Sequence, residues 1–163
     1  MDKLSFINSK IVSQTALKRL CAAWRLNSQN IVFTNGVFDI VHQGHITGIL
    51  KAAEEGQKLI IGINSDASVK RLKGADRPMN NEYSRALLLA ALQFVDAVCI
   101  FEEDTPLELI MACRPDVLVK GGDYQPETVV GSDFVKSYGG TTVIIPIVEG
   151  FSTTGMIKKI KDQ

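Results

Sequence analysis

Two histidines three residues apart, His42 and His45, are the side chains whose type and spacing point most directly to chemistry. They follow an apolar, β-branched run that breaks at Asn35-Gly36, and a second glycine, Gly44, stands between them. This order predicts a strand, a turn and a helix N-terminus, where unpaired backbone N–H groups and the helix dipole attract anions. Imidazoles at i and i+3 share one face of a helical turn and can donate to the same anion. The pattern indicates a phosphate cradle with two histidine donors.

Two other roles for these histidines stay open. They could cap or pack a helix, or Asp39, His42 and His45 could form a metal site, because histidine and carboxylate are ordinary metal ligands. The glycine bend favours anion binding, as does a polar stretch, residues 64–78, that is rich in lysine and arginine. We expect this stretch to be a loop, and a loop of that length in a compact domain is usually functional or disordered.

Composition excludes several broad classes of protein. The 163 residues include 18 basic and 18 acidic side chains, so no overall charge favours nucleic acid or an anionic membrane. The three cysteines lie far apart in apolar surroundings and form no C-x-x-C pair, which predicts buried, reduced thiols. The sequence has no apolar run of membrane-spanning length and no signal-peptide core at its start, so we expect a cytoplasmic protein.

Short apolar runs alternate with segments of helical periodicity. Strands are predicted at about residues 31–34, 58–63, 97–101, 117–119 and 142–145, with helices at about 13–26, 45–55, 82–94, 105–113 and 128–138. Asp104 or Thr105 is the predicted cap of the fourth of these helices, with Pro106 in its first turn. This alternation predicts an α/β fold, a doubly wound, Rossmann-like parallel sheet of about five strands. We expect one domain over residues 1–163, with residues 1–29 as a helical extension packed on it and ligands beyond the carboxyl ends of the strands.

The segment from Gly36 to His45 resembles the G-x-F-D-x-x-H-x-G-H signature of the cytidylyltransferase-like nucleotidyltransferases. Residues 150–154 match a second element of that family, G-x-S-T-[TS] at a helix start. Further similarity over residues 64–78, 101–106 and 115–124 narrows the resemblance to the D-glycero-β-D-manno-heptose 1-phosphate adenylyltransferases, over about residues 30–160. It implies transfer of AMP from ATP, with Mg²⁺ bound to ATP, to the sugar phosphate by direct in-line attack. ADP-heptose, a precursor of the lipopolysaccharide core, and pyrophosphate would be the products.

The resemblance also implies roles for individual residues. The catalytic set is His42, His45 and Lys73. The nucleotide- and phosphate-binding set is Thr34, Asn35, Gly36, Val37, Phe38, Asp39, Gly44, Lys70, Gly121, Ser152, Thr153 and Thr154. The substrate-binding set is Arg77, Arg85, Lys120, Gly122, Asp123 and Tyr124. No metal ligand is certain, and no serine, cysteine or histidine has an evident general base, so we expect no covalent intermediate.

Several of these residues have a plainer structural alternative. Residues 152–154 could only cap a helix, and Lys70 and Lys73 could belong to a solvated face. Arg85 could form an ion pair with Glu82, and Asp39 could fix the turn. The two glycines at 121 and 122 could serve an ordinary turn.

Two rival functions remain at the level of sequence. One is a cytidylyltransferase acting on glycerol 3-phosphate or a related polyol phosphate, and the other is a nucleotide-binding module without turnover. Many relatives carry a sugar kinase domain fused upstream of the nucleotidyltransferase domain. We expect none here, and we therefore expect a separate heptose kinase to supply the sugar phosphate. We also expect a homo-oligomer, which the apolar N-terminal helix could support.

Overall fold

The computed structural model of the protein describes residues 2–146. Within them, five parallel strands form one sheet in the order β3-β2-β1-β4-β5. The strands are β1 (Ile31–Gly36), β2 (Lys58–Asn64), β3 (Ala97–Phe101), β4 (Val117–Gly121) and β5 (Thr141–Ile145). The helices are α1 (Lys3–Ser9), α2 (Gln14–Leu26), α3 (Gln43–Ala53), α4 (Asp66–Lys73), α5 (Glu82–Ala90), α6 (Leu107–Cys113) and α7 (Ser132–Ser137). The predicted doubly wound parallel sheet is confirmed.

The sheet is buried on both faces, as expected for parallel strands made of continuous apolar runs. On one face, Leu17 of α2, Leu109 of α6 and Val135 of α7 belong to a single buried cluster. On the other face, Ile49 of α3 and Leu89 of α5 belong to a second cluster. The helices therefore cover the sheet from both sides and leave the strand ends for other uses.

The order of the strands reverses between β1 and β4. From β1 the chain passes through α3 to β2 and onward to β3, and it then returns through α6 to β4 on the other side of β1. Thr34 of β1 lies opposite both Ile61 of β2 and Val119 of β4. In open sheets of this kind, ligands bind beyond the carboxyl ends of the strands at this reversal. The predicted motif begins at that point, at the end of β1.

The prediction of a loop over residues 64–78 is wrong for its first half, which forms α4. Ser65 caps this helix by accepting a hydrogen bond from the Ser68 backbone N–H at 3.1 Å, and Val69 is fully buried beneath it. The basic residues cover its outer face, so the sequence lacks the wide apolar stripe that usually identifies a helix. Helix α1 lies within the predicted helical extension but was not predicted as a separate helix, because none of its residues is buried.

Two further boundaries differ from the sequence prediction. Pro106 is the N-cap of α6 and makes no side-chain cap hydrogen bond, so the predicted cap by Asp104 or Thr105 is wrong. The helix expected over residues 128–138 is divided into a 3-10 turn at Pro126–Thr128 and α7. Gly131, with φ of +88°, separates them, since a left-handed residue interrupts a right-handed helix.

Cys21, Cys99 and Cys113 are buried and free, as predicted. Burial raises the pKa of Cys21 to about 11 and that of Cys99 to about 12, so both thiols stay protonated and unreactive at neutral pH. None of the helices within residues 2–146 has the length and apolar character needed to cross a bilayer.

Candidate active site

The turn between β1 and α3 depends on one glycine and one strained residue. A Cβ atom on Gly36 would lie 2.9 Å from ring carbon Cε2 of Phe38, so glycine is needed for the ring to fold back over the strand end. Phe38 has φ of +49°, in the left-handed region that costs a non-glycine residue about 1–2 kcal/mol. Its ring meets the His45 ring edge to face, with centroids 5.4 Å apart. The turn thus places an aromatic side chain against one of the two predicted donors.

His42 and His45 stack on each other at the start of α3. Their ring centroids are 3.8 Å apart and the rings are inclined by 22°. His42 is the N-cap of α3, and its Nδ1 accepts a hydrogen bond from the His45 backbone N–H at 3.4 Å. An accepting Nδ1 carries no proton, so neutral His42 holds its proton on Nε2. The capping role and the donor role are therefore compatible, because they use different nitrogens.

The surroundings favour the neutral form of both imidazoles. The pKa of His45 is lowered to about 4, first by burial and then by His42, while the nearby Ile40 backbone acts in the opposite direction. Burial also lowers the pKa of His42. Nδ1 of His45 is buried and has no hydrogen-bond partner among residues 2–146. An anion brought beside the rings would raise both pKa values and gain hydrogen bonds from them.

Asp39 ties the turn to the segment that precedes α5. The residue is 4% exposed, and its carboxylate accepts hydrogen bonds from Arg77 Nε at 2.7 Å and from the backbone N–H groups of Met79 and Asn80 at 2.8 and 2.9 Å. Burial alone would raise the pKa of Asp39, but these hydrogen bonds outweigh burial and lower it. Residues 2–146 contain no group of three or more histidine, cysteine or acidic side chains arranged to hold a metal ion. The alternative of a metal site at Asp39, His42 and His45 is therefore not formed.

Arg85 is a buried guanidinium that joins its own helix, α5, to three other segments of the chain. Its side chain donates to the carbonyl oxygens of Asn80, Val37 and Asn64 and to the carboxylate of Asp66, at 2.8 to 3.0 Å. The residue is only 2% exposed. These bonds fix the turn after β1, the end of β2 and the start of α4 relative to one another.

The ion pair suggested between Arg85 and Glu82 is not the one that forms. Arg85 pairs with Asp66, and Glu82 instead accepts a hydrogen bond from the Asp66 backbone N–H at 2.8 Å. Arg77, the other predicted substrate-binding arginine, pairs with Asp39 and keeps 18% of its side chain exposed.

Lys70 and Lys73 are exposed in the last turn of α4. This helix follows directly from the carboxyl end of β2, at the same edge of the sheet as the histidine pair. Arg71, which lies between them in sequence, holds the helix to the next loop through Asp104, with Nη2 and Oδ1 2.7 Å apart. Neither lysine forms an ion pair with another of the described residues, so both keep their charge for an incoming anion.

The end of β4 contributes a second group of predicted residues. Lys120 is half-buried, and burial lowers its pKa. Its Nζ lies 5.9 Å from the centre of the Tyr124 ring. Gly122 has φ of +131°, a conformation that side-chain-bearing residues rarely adopt. A cavity of about 180 Å³ opens here and is lined by Asn35, Pro106, Lys120, Tyr124, Thr128, Val129 and Val130.

The structure brings most of the predicted site to one edge of the sheet. The turn residues Thr34, Asn35, Gly36, Val37, Phe38 and Asp39 lead directly into Gly44 and the two histidines. Asn35 shares a cavity with Lys120 and Tyr124, and Gly121, Gly122 and the exposed Asp123 follow on the same strand end. Ser152, Thr153 and Thr154 lie outside the described residues.

Sequence reasoning missed Asn80 and Asp66. Asn80 Nδ2 donates to the Asp39 carbonyl at 2.6 Å, so this residue binds the turn through its side chain as well as its backbone. The one sequence feature that could have pointed to Asn80 is the pair Asn80-Asn81 before α5, since a helix needs only one N-cap residue. Asn81 supplies that cap to the Ser84 N–H at 2.8 Å, which left its neighbour without an assigned role.

Comparison with known proteins places this architecture in a family. The cytidylyltransferase-like family model matches residues 33–158. The chain is 55% identical over 158 residues to the bifunctional protein HldE of Koribacter versatilis and 53% identical over 156 residues to that of Trichlorobacter lovleyi. These matches cover 97% and 96% of this chain, which spans about a third of the length of either relative.

A solved structure shares the fold. It is a lipopolysaccharide core biosynthesis protein from Thermoplasma volcanium, 26% identical, with a TM-score of 0.60 over 74% of this chain and 97% of the other. The chain belongs to the cytidylyltransferase-like family of nucleotidyltransferases.

Proposed function

We propose that the protein transfers AMP from ATP to D-glycero-β-D-manno-heptose 1-phosphate and releases ADP-heptose and pyrophosphate. The similarity to the bifunctional HldE proteins and to a lipopolysaccharide core biosynthesis protein supports this choice of substrate. The residues at 64–78, 101–106 and 115–124 that resemble heptose 1-phosphate adenylyltransferases support it independently of the family model.

The observation that carries the proposal is the neutral, stacked pair of His42 and His45 at the N-terminus of α3. The helix end supplies backbone N–H groups and the positive end of its dipole, and the imidazoles add side-chain donors. Both pKa values are lowered, so the donors carry no charge until an anion arrives. Such preorganised donors stabilise the charge that develops on a phosphoryl group in the transition state.

Direct transfer needs little from the protein beyond positioning. A sugar phosphate is already an anionic nucleophile, so its attack on the α-phosphorus of ATP needs no general base. The new P–O bond forms as the bond to the pyrophosphate oxygen breaks, and the pyrophosphate leaves with the electron pair. The protein must hold two polyanions in line and offset their mutual repulsion.

We assign His42 and His45 to the phosphates around the reacting phosphorus, with Lys73 and Lys70 on the rest of the triphosphate. The other nucleotide-binding residues would be Thr34, Asn35, Gly36, Val37, Phe38, Asp39, Gly44, Gly121, Ser152, Thr153 and Thr154. Lys120 and Tyr124, which line the cavity beside Asn35, would contact the sugar phosphate together with Arg77, Gly122 and Asp123. Arg85 would serve this site through the four segments that it joins.

Mg²⁺ would arrive with ATP. The residues fit an ion held mainly by phosphate and water, because Asp39, the acidic side chain of the turn, is already bound by Arg77, Met79 and Asn80. The ion would neutralise part of the triphosphate charge. Lys70 and Lys73 would add positive charge from the protein.

Release of pyrophosphate in the presence of Mg²⁺ tests the proposal. The protein is supplied with heptose 1-phosphate and, in separate reactions, with ATP, CTP or GTP. Release with ATP alone supports an adenylyltransferase. Release with CTP alone, or with glycerol 3-phosphate in place of the sugar phosphate, would show a cytidylyltransferase or a polyol phosphate enzyme instead. Nucleotide binding without release from any pair would show a binding module.

Further parts of the proposal concern partners and place. Leu4 and Phe6 of α1 are 55% and 53% exposed, which supports self-association through this helix. Light scattering coupled to gel filtration would measure it, and a monomeric mass at high concentration would refute it. A kinase reaction must supply the sugar 1-phosphate, and we place both reactions in the cytoplasm, where ATP is available.

A further inference from the structure

Two residues, Asn80 and Arg85, hold the turn that leads to the histidines. Arg85 Nη1 donates to the Val37 carbonyl at 2.8 Å, and Asn80 Nδ2 donates to the Asp39 carbonyl at 2.6 Å. The residue between these two carbonyls is Phe38, whose φ of +49° is strained. Arg85 Nε also donates to the Asn80 carbonyl at 3.0 Å. Asn80 and Arg85, together called the clamp, therefore bind the carbonyls on both sides of the strained Phe38 and are hydrogen-bonded to each other.

Phe38 transmits this constraint to the histidine pair. Its ring lies edge to face against His45, and His45 stacks on His42 with ring centroids 3.8 Å apart. Gly36 gives the ring room on its other side. If residue 38 relaxed to an ordinary φ, the direction of its side chain would change and His45 would lose this neighbour. A strained conformation persists only where its surroundings enforce it, and here the clamp does so.

We propose that Asn80 and Arg85 are positioning residues for His45, acting through the backbone of residues 37–39 and the ring of Phe38. The expected effect on kcat rests on the proposed function. The expected effect on the position of the His45 ring does not, because it can be measured in the ligand-free protein. The predicted role of Arg85 as a substrate-binding residue differs from it. A buried guanidinium with four acceptors would act on the reaction through the turn.

Asn80→Ala is the sharpest test, because it removes the bond to the Asp39 carbonyl and leaves the backbone groups of residue 80 in place. Asn27→Ala is its matched control. Asn27 is also exposed, and its Nδ2 donates to a backbone carbonyl, that of Ala23, at 2.9 Å in the C-terminal turn of α2. Both changes delete one amide-to-carbonyl hydrogen bond at the surface, but only one of them lies in the clamp.

Two readouts separate positioning from a purely structural role. The first is NMR titration of the His45 ring in the ligand-free protein, which does not depend on the identity of the substrates. We expect the ring resonances of Asn80→Ala to shift and the pKa of His45 to rise from about 4 toward its ordinary value, with Asn27→Ala unchanged. The second is kinetics with ATP and heptose 1-phosphate. We expect kcat of Asn80→Ala to fall by about 10-fold or more with little change in the KM for ATP, since a small misplacement of a catalytic group has effects of this order.

Equal behaviour of the two variants would refute the proposal. If Asn80→Ala and Asn27→Ala have the same His45 titration and the same kcat, the proposal is wrong and Asn80 has only a structural role. If the wild-type protein shows no adenylyl transfer, the proposed function fails, and the His45 titration alone decides the positioning role. Arg85→Lys provides a second variant from the same clamp. It should shift the His45 resonances in the same direction as Asn80→Ala, and an unchanged spectrum would remove Arg85 from the role.

Discussion

Replacing Asp39 by alanine should cost far more stability than an ordinary surface change. Asp39 is 4% exposed, and its carboxylate accepts hydrogen bonds from Arg77, Met79 and Asn80 at 2.7 to 2.9 Å. Its removal therefore leaves a charged group and two backbone N–H groups without their acceptor. Breaking a buried ion pair costs about 3–5 kcal/mol. Arg77 keeps 18% of its side chain exposed and can recover some hydration, so we expect about 3 kcal/mol, at the lower end of that range.

Asp104→Ala is the matched control. The Asp104–Arg71 pair has the same nitrogen-to-oxygen distance, 2.7 Å, as the Asp39–Arg77 pair, but its side chains are about half exposed. Exposed pairs contribute roughly 0–1 kcal/mol. Urea unfolding followed by circular dichroism, with linear extrapolation, gives the free energy of unfolding of each variant. Equal losses for the two variants, both under about 1 kcal/mol, would refute the argument from burial.

The stability lost in Asp39→Ala should also depend on pH. The pKa of folded Asp39 lies below its ordinary value of 3.8, so the ionised carboxylate stabilises the folded state above that value. This contribution is lost as the pH falls through the lower, folded-state pKa. The stability difference between wild type and Asp39→Ala should therefore be constant near neutrality and shrink in acid below about pH 4.

Three further changes test the site. His45→Ala should lower turnover by about 100-fold or more with an unchanged circular dichroism spectrum, as loss of one preorganised donor does; near-normal pyrophosphate release would remove His45 from catalysis. Lys73→Ala should raise the KM for ATP and leave the melting temperature unchanged, and an unaltered rate and KM would return this exposed lysine to a solvated face. Gly36→Ala should cost about 1–3 kcal/mol, because the added Cβ would lie 2.9 Å from the Phe38 ring; calorimetry showing wild-type stability would contradict this.

The sheet was predictable because each of its strands is a short apolar run that can be recognised from neighbouring residues alone. The run at residues 97–101 was predicted with the bounds that β3 has in the structure, and the run beginning at Lys58 forms β2, whose residues are buried from Leu59 to Asn64. Strands buried on both faces need continuous apolar runs, and such runs are short enough to separate from helices. The position of the site at the carboxyl ends then follows from the alternation of strands and helices alone.

Helix α4 could not be predicted in the same way, because it buries only part of one face. Val69 and Ser68 are its buried residues, while Lys70, Arg71 and Lys73 point outward and make the segment resemble a polar loop. Helix α1 buries none of its residues and left no periodic signal at all. Elements that pack weakly on the outside of a sheet depend on tertiary contacts that a sequence does not display.

The network around Arg85 was also beyond the sequence. An arginine is nearly always exposed, so composition gives no reason to place one at 2% exposure. Its four acceptors come from three separate segments of the chain, at Val37, at residues 64–66 and at Asn80. The motif around His42 and His45 was readable because its members are close in sequence, whereas the residues that hold it in place are not.

The measurement that tests the central claim most directly is ³¹P NMR of the protein with ATP, Mg²⁺ and heptose 1-phosphate. We predict that the signals of pyrophosphate and of a nucleoside diphosphate sugar grow together in equal amounts, and only when both substrates are present. Pyrophosphate without the nucleotide sugar, or conversion of ATP to ADP and phosphate, would contradict adenylyl transfer to the sugar phosphate.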